Sequence, residues 1–375
     1  MKKITCYIFL LTGFSIYSCS QHSSKLIEEN NASETVIDST DYYDSVYAPI
    51  KFSIDTFFRN KFLADEFNGN VLFAENSRII FSGAYGYTSP DKKDTLTLEH
   101  AFQLASVSKT ITASAALMLC EKGLIHLDST INNYLYDFPY PGITVRMLLC
   151  HRSGLSNYMY YCDDYVNDKT KPIYNKDVYE IICKNKPKPY YKPNETYDYC
   201  NTGYVLLALI IEKVSGLSYN DYLQKNIFIP LNMQGTFVYE KDKINLPKNA
   251  LSGFDHKGKK IEDFYQNGVT GDKGIYSTVE DLYKFDQALR QQKLLNDSTL
   301  QLAYIPTASE DETKGNDNYG LGWRIKQSHN GYKVIFHTGW WKGFRSYFIR
   351  NTTKNQTIVV LDNIKKGPFS LYSFK

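Results

Sequence analysis

Strand-prone segments crowd the two ends of this chain and helical patterns fill its middle, and that arrangement restricts the fold more than any other feature. Near the start, Asn70 to Ala74 and Arg78 to Tyr87 are apolar, β-prone arms around a turn at Glu75-Asn76-Ser77. Near the end, Gly320 to Lys326 and Tyr332 to Thr338 flank Asn330-Gly331, a strong hairpin signal. Further strands are expected at Ser346 to Arg350 and Thr357 to Asp362. Between the two groups a helix runs to Gly123, a good C-terminal cap. Another covers Thr202 to Val214 and stops at Ser215-Gly216, and the capping box Ser277 to Glu280 opens a helix through Ala288. Lys51 to Phe67 has helical spacing at Phe52, Ile54, Phe57, Phe58 and Leu63, and Leu124 to Thr170 reads as loop and short helix. The expected class is α/β (α+β): an antiparallel sheet built from both ends of the chain, with a helical insert.

Bulk composition excludes several functions. The chain has 375 residues, 22% of them charged, and a net charge of +3. Its basic residues are scattered, so nucleic acid is not an expected partner. Cysteines 120, 150, 162, 183 and 200 are odd in number and contain no CxxC pair, so neither zinc nor a disulfide framework is indicated. Cys120 and Cys150 lie in apolar helical runs and read as small core residues. No ligand cluster suggests a metal. No cofactor is expected, and a monomer is.

The N-terminus reads separately. Lys2 and Lys3 precede the apolar run Ile8 to Ile16, the layout of a secretory signal over residues 1–18. Ile16-Tyr17-Ser18-Cys19 resembles the lipoprotein cleavage box, which makes Cys19 the lipidated first residue, although Tyr17 is bulky for that box. Residues 19–48 are polar and read as a tether, and 49–375 as the folded domain. The expected location is the cell envelope, as a periplasm-facing lipoprotein held to a membrane by that anchor.

One stretch carries chemistry. Gln103 to Leu119, QLASVSKTITASAALML, has the composition of a buried helix yet contains Lys109, one turn after Ser106. Residues three apart share a helix face. A lysine in apolar surroundings favours its neutral form, and a neutral amine beside a hydroxyl makes a nucleophile. The same S-x-x-K spacing occurs at Ser89 and Lys92, in a charged turn where the lysine stays solvated. An N-cap serine with a snorkelling lysine is the structural alternative for Ser106.

Two further motifs accompany it. Tyr-x-Asn occurs at Tyr165, Tyr199 and Tyr265, cheap matches in a chain with 32 tyrosines. The middle copy, Tyr199-Cys200-Asn201, runs into TGYVLLALIIEKVSG. His-x-Gly occurs at His256, His329 and His337, and the last copy, His337-Thr338-Gly339, ends a strand and continues into WWKGFRS.

Taken in order, S-x-x-K, Tyr-x-Asn and His-x-Gly resemble the penicillin-recognising serine hydrolases: the serine β-lactamases, D-alanyl-D-alanine peptidases and related esterases and D-aminopeptidases. The branch is the class C β-lactamase-like one. NGNVLFAENSRIIFSGAYGY, MLLCHRSGLS, FIPLNMQGT, GDKGIYSTVEDLYKF and YGLGW extend the resemblance over roughly Phe52 to Asn363. It implies a β-lactamase/transpeptidase-like sandwich plus a mostly helical region, with the active site at their junction. It further implies Ser106 as acylated nucleophile, Lys109 as its base partner and Tyr199 as a phenolic base working as phenolate. Asn201 would hold the substrate amide, and His337 and Thr338 would line the substrate. The backbone N–H groups of Ser106 and of Trp340, just after Gly339, would form the oxyanion hole.

The substrate class implied is an amide, a peptide ending in a D-amino acid, a β-lactam or a small ester. A non-enzymatic binding lipoprotein on the same scaffold is the second reading. Histidine at 337, where many β-lactamases carry lysine, looks more like peptidases and esterases. Cys200 replaces a commoner small residue, and only Ile364 to Lys375 remain for the family's usual closing helix. His151 reads as a structural turn residue. Arg345 reads equally as a carboxylate binder or a solvated strand end, and Trp340-Trp341 as core or cleft wall.

Overall fold

The apolar arms from both ends of the sequence meet in one sheet. The computed structural model describes residues 39–240, 246–313, 317–327 and 331–364. The signal segment, Cys19, most of the tether and residues 365–375 lie outside the described residues. The strands are β1 (Gly69–Glu75), β2 (Arg78–Tyr85), β3 (Phe102–Gln103), β4 (Phe237–Val238), β5 (Ile275–Ser277), β6 (Asn318–Tyr319), β7 (Arg324–Gln327), β8 (Lys333–Trp341), β9 (Phe344–Asn351) and β10 (Gln356–Asp362). Seven of them form a sheet in the order β2-β1-β10-β9-β8-β7-β6, with every neighbouring pair antiparallel. A small sheet, β3-β5-β4, stands apart.

The main helices are α1 (Ser39–Leu63), α2 (Ser108–Glu121), α3 (Val145–Leu149), α4 (Tyr158–Tyr165), α5 (Asn175–Asn185), α6 (Thr202–Ser215), α7 (Tyr219–Leu223) and α8 (Val279–Arg290). Gly216, at φ +72°, closes α6 where the sequence places its cap.

Both faces of the sheet are covered, which its strands require. Side chains alternate along a strand. Val71 and Phe73 of β1 and Val360 of β10 join Ile54 and Phe58 of α1 in one cluster. Leu72, Ala74, Val359 and Leu361 face the other way, into the main core with α2, α6 and α8. A buried charge network ties α8 down. Asp286 accepts from Arg350 Nε of β9 at 2.5 Å, from Arg290 Nε at 2.9 Å and from Thr357 Oγ1 of β10 at 2.5 Å. Burial alone would raise the carboxyl; Arg350, Arg290 and Thr357 hold it below the usual range. Its share of stability is therefore present above the ordinary carboxylate pKa and lost as pH falls through the lowered one.

Several elements differ from the sequence reading. α1 begins at Ser39, so residues 39–48 have helical backbone, and Asp65 at φ +61° ends the segment before Phe67. Ser277 is the last residue of β5, and Thr278 caps α8 instead, its Oγ1 accepting from Asp281 N–H at 3.1 Å. The strand expected over Gly320 to Lys326 is interrupted at Gly322, φ +92°, which turns the chain between β6 and β7. The β1–β2 turn is as expected: Asn76 and Ser77 both take positive φ, 49° and 61°, matching a two-residue hairpin.

Candidate active site

Ser106 sits in a single 3₁₀ turn, Ala105–Val107, that feeds directly into α2. Ala105 and Val107 are buried and Ser106 is half-exposed, so the hydroxyl alone reaches the surface of the turn. Ala105 has φ +48°, a left-handed conformation that costs a non-glycine residue roughly 1–3 kcal/mol. The surroundings hold it there: Leu104 N–H donates to Ile275 O of β5 at 2.8 Å, and Ser346 Oγ of β9 donates to Leu104 O at 2.5 Å.

α2 is buried on every side because it runs through the core. Every residue from Ser108 to Leu117 is buried, Lys109 completely. Lys109 Nζ donates to Ser106 Oγ at 3.2 Å and to Asp272 O at 2.8 Å. Burial lowers its pKa to about 8 against the pull of the Asp272 carboxylate, and the Arg324 guanidinium lowers it further. The N-cap reading of Ser106 fails, since α2 is capped by Val107 with no side-chain bond.

Tyr199 and Asn201 enter from the segment preceding α6. Tyr199 is half-buried, and its ring lies 5.1 Å from Lys109 Nζ. Burial drives its pKa well above that of an ordinary phenol, outweighing the opposing effects of the Ser106 hydroxyl and the Arg324 charge. It is therefore a protonated phenol at neutral pH, which corrects the phenolate expected from the sequence. Asn201 Nδ2 contacts Met159 Sδ at 2.9 Å, and its buried Oδ1 has no partner. His151, at φ +58°, supports this segment: Nδ1 accepts from Cys200 N–H at 3.1 Å and the ring lies 4.2 Å from that of Tyr199. Cys200 is buried, its thiol directed at Leu155 O.

The third wall is β8. It pairs with β7 only through Phe336, so His337 to Trp341 run on beyond that partner, beside Ser106. Gly339 makes the approach possible: a Cβ there would stand 2.2 Å from Leu104 O and 3.0 Å from Ser106 N. Thr338 is half-buried and Trp340 is 57% exposed, a cleft wall and not core. His337 does not fit its expected role as a substrate-side group. It is fully buried, Nε2 lies 2.9 Å from Tyr319 Oη, and Nδ1 lies 2.8 Å from Thr338 O. Burial, with Arg324 and Lys109 nearby, depresses its pKa far below the ordinary value and favours the neutral ring. Arg345 is also internal, paired with Asp362 across β9 and β10.

The competing motif copies stand elsewhere. Ser89 is hydrogen-bonded to Asp91 and Lys92 is exposed. Tyr165 and His256 are exposed, Tyr265 donates to Asp163 Oδ1, and Asn267 Oδ1 is taken by Trp341 Nε1. His329 lies outside the described residues.

Three site residues escaped the sequence reading. Arg324 of β7 places its guanidinium 5.4 Å from the Tyr199 ring, with Nε buried and without a hydrogen-bond partner. Asp272 and Lys273 lie buried beneath Lys109. Both signals were present in stretches already singled out, Arg324 directly after YGLGW and the pair inside GDKG, but neither follows a spaced catalytic motif.

Comparisons with known proteins identify the family of the chain. The family model described as Beta-lactamase matches residues 65–372. Penicillin-binding protein 4* of Bacillus subtilis (strain 168) is 34% identical over 319 residues, covering 80% of this chain and 68% of that protein. Protein flp of Staphylococcus aureus (strain MRSA252) is 26% identical over 79% of this chain, which spans only 59% of that relative's length. The crystal structure of D-amino acid amidase from Ochrobactrum anthropi SV3 superposes with a TM-score of 0.69 at 25% identity, covering 86% of this chain and 95% of the amidase. With a family model matching residues 65–372 and a relative 34% identical over two thirds of its own length, the chain belongs to the beta-lactamase family of serine hydrolases.

Proposed function

We propose that this chain is a cell-envelope hydrolase that forms an acyl-enzyme on Ser106 and acts on amides or peptides carrying a carboxylate near the scissile bond. One observation supports this most: a half-exposed serine hydroxyl 3.2 Å from the amine of a completely buried lysine. Neutral Lys109 takes the Ser106 proton as Oγ bonds to the carbonyl carbon. The oxyanion is received by the backbone N–H groups of Ser106 and Trp340, each donor of this kind worth about 3 kcal/mol of barrier. Tyr199, a protonated phenol, donates its proton to the leaving nitrogen as the C–N bond breaks, and the Lys109 ammonium restores it. Water then attacks the ester carbonyl, giving a proton to neutral Lys109, which returns it to Ser106 Oγ as the C–O bond breaks. Asn201 Oδ1, buried and unpartnered, accepts from the substrate amide.

The carboxylate falls to Arg324, not His337, because His337 has both ring nitrogens occupied. A guanidinium is the better holder of a planar anion in any case. Lipid anchoring through Cys19 would keep this chemistry at a membrane.

The test is a fluorescent penicillin or fluorophosphonate label followed by peptide mapping, with hydrolysis of nitrocefin, D-Ala-D-Ala peptides, D-amino acid amides and nitrophenyl esters. The label should map to Ser106. Arg324→Ala should raise KM for anionic substrates about tenfold or more, a charged hydrogen bond being worth roughly 1.5–3 kcal/mol, and leave neutral esters little changed. A label on another residue sinks the reading, and equal losses on both substrate classes remove Arg324 from it.

A further inference from the structure

Behind the serine and its lysine lies a second charged layer that the chemistry above does not use. Asp272 and Lys273 are adjacent in sequence, 2% and 4% exposed. Two left-handed glycines bracket them, Gly271 at φ +94° and Gly274 at φ +93°. A Cβ on Gly271 would stand 2.3 Å from Tyr204 O, and Gly271 O accepts from Thr112 Oγ1 at 2.6 Å, so the segment is clamped between α6 and α2. That clamp forces both side chains into the interior.

Their partners are disposed asymmetrically. Asp272 presents its backbone carbonyl to Lys109 Nζ and its carboxylate away from it, Oδ2 accepting from Tyr158 Oη at 3.0 Å and Oδ1 lying 3.5 Å from Lys273 Nζ. Lys273 Nζ donates to Tyr158 Oη and stands 5.1 Å from each of the Tyr158 and Trp341 ring centroids. Lys109 meets Ser106 and the rings of Tyr199 and Tyr204, with Arg324, His151, His337 and Cys200 as further titratable neighbours. Of these neighbours and the Asp272–Lys273 pair, Asp272 holds the carboxylate. A buried carboxylate favours whichever nearby amine can share its charge.

We propose that Lys273 is a positioning residue for Lys109: by closing an ion pair with Asp272 from the far side, it weakens the pull of that carboxylate on the lysine beside Ser106. Without Lys273 the buried anion recruits Lys109 as its counter-ion, and an ammonium cannot take the serine proton. With Lys273 in place the pair is neutral as a unit, and Lys109 gives up its proton at lower pH than it would beside an unpaired carboxylate. Tyr158 and the Trp341 ring hold the Lys273 ammonium where it reaches the carboxylate. This rests on Ser106 and Lys109 being the nucleophile and its base.

The experiment is the pH profile of acylation by a fluorophosphonate, a neutral probe that avoids Arg324, for the full chain and the variants Lys273→Met, Asp272→Asn and the double variant. In Lys273→Met the acidic limb should move up by about one pH unit or more, the usual effect of an opposite charge, so acylation at pH 7 falls about tenfold and recovers at high pH. In Asp272→Asn the limb should move down, and the double variant should return toward the native limb. Label mapping on the unmodified chain separates two failures. If the label is not on Ser106, the reading of the site fails. If Ser106 is labelled but Lys273→Met leaves the limb in place, or lowers the rate equally at all pH values, the role of Lys273 is overturned. Should Lys273→Met not fold, Asp272→Asn decides: a limb that stays or moves up overturns the proposal.

Discussion

Ser106→Ala loses covalent labelling and hydrolysis, by on the order of 10⁴-fold or more, and keeps its unfolding temperature. The size of the effect follows from the absence of a second nucleophile in the described cleft: Thr338 lies on the wall, and Ser89 is tied to Asp91 in an exposed turn. The lack of a structural penalty follows from how the turn is held. Leu104 is pinned by Ile275 and Ser346, and Val107 is buried, so the Ser106 side chain contributes chemistry and little packing. Activity surviving in Ser106→Ala but lost in Ser89→Ala would place the nucleophile in the wrong turn.

Tyr199→Phe slows turnover by about 10²- to 10⁴-fold, the usual contribution of a positioned acid or base. The ring is kept, with its contacts to His151 and Lys109, so stability changes little. What disappears is a proton donor. The loss should therefore be largest for amides, whose leaving nitrogen must be protonated, and smaller for nitrophenyl esters, whose leaving group departs as an anion. The limb that remains reports Lys109: kcat/KM for acylation rises as pH passes upward through about 8, because the neutral amine is the active form. Steady-state kinetics on an amide and a nitrophenyl ester, in wild type and variant, check both points. Equal slowing on the two substrates would remove the donor role from Tyr199.

The sequence carried what is local or periodic. The β1–β2 hairpin, α6 with its glycine stop, β9, β10 and the serine–lysine spacing were all readable, because each is set by neighbours within a few residues. The choice among motif copies was readable for the same reason, since an exposed turn and an apolar run differ in composition. What was not readable depends on the third dimension. His337 stands at the motif position, yet its ring is enclosed by Tyr319 and by its own strand, a burial no spacing reveals. Arg345 meets Asp362 only because β9 and β10 pair in that register. Tyr199 is a phenol and not a phenolate because burial disfavours its charged form, and desolvation leaves no mark in a three-residue motif. Asp272 and Lys273 are ordinary surface residues by composition. Two glycines turn them inward.

The seating of Gly339 against Leu104 and Ser106 has a consequence for the order in which this enzyme comes into being. A ribosome delivers Ser106 and Lys109 early, and the strand that seats Gly339 against Ser106 only after most of the chain has been made. β1 likewise waits for β10, its neighbour in the finished sheet. Contacts so distant along the chain close slowly, because the intervening loop must be ordered before they are rewarded. A nascent chain halted before β8 carries both Ser106 and Lys109 and should take up no label, which release of stalled chains followed by labelling would show. Reactivity is thereby withheld from the growing polypeptide and arrives with its last strands.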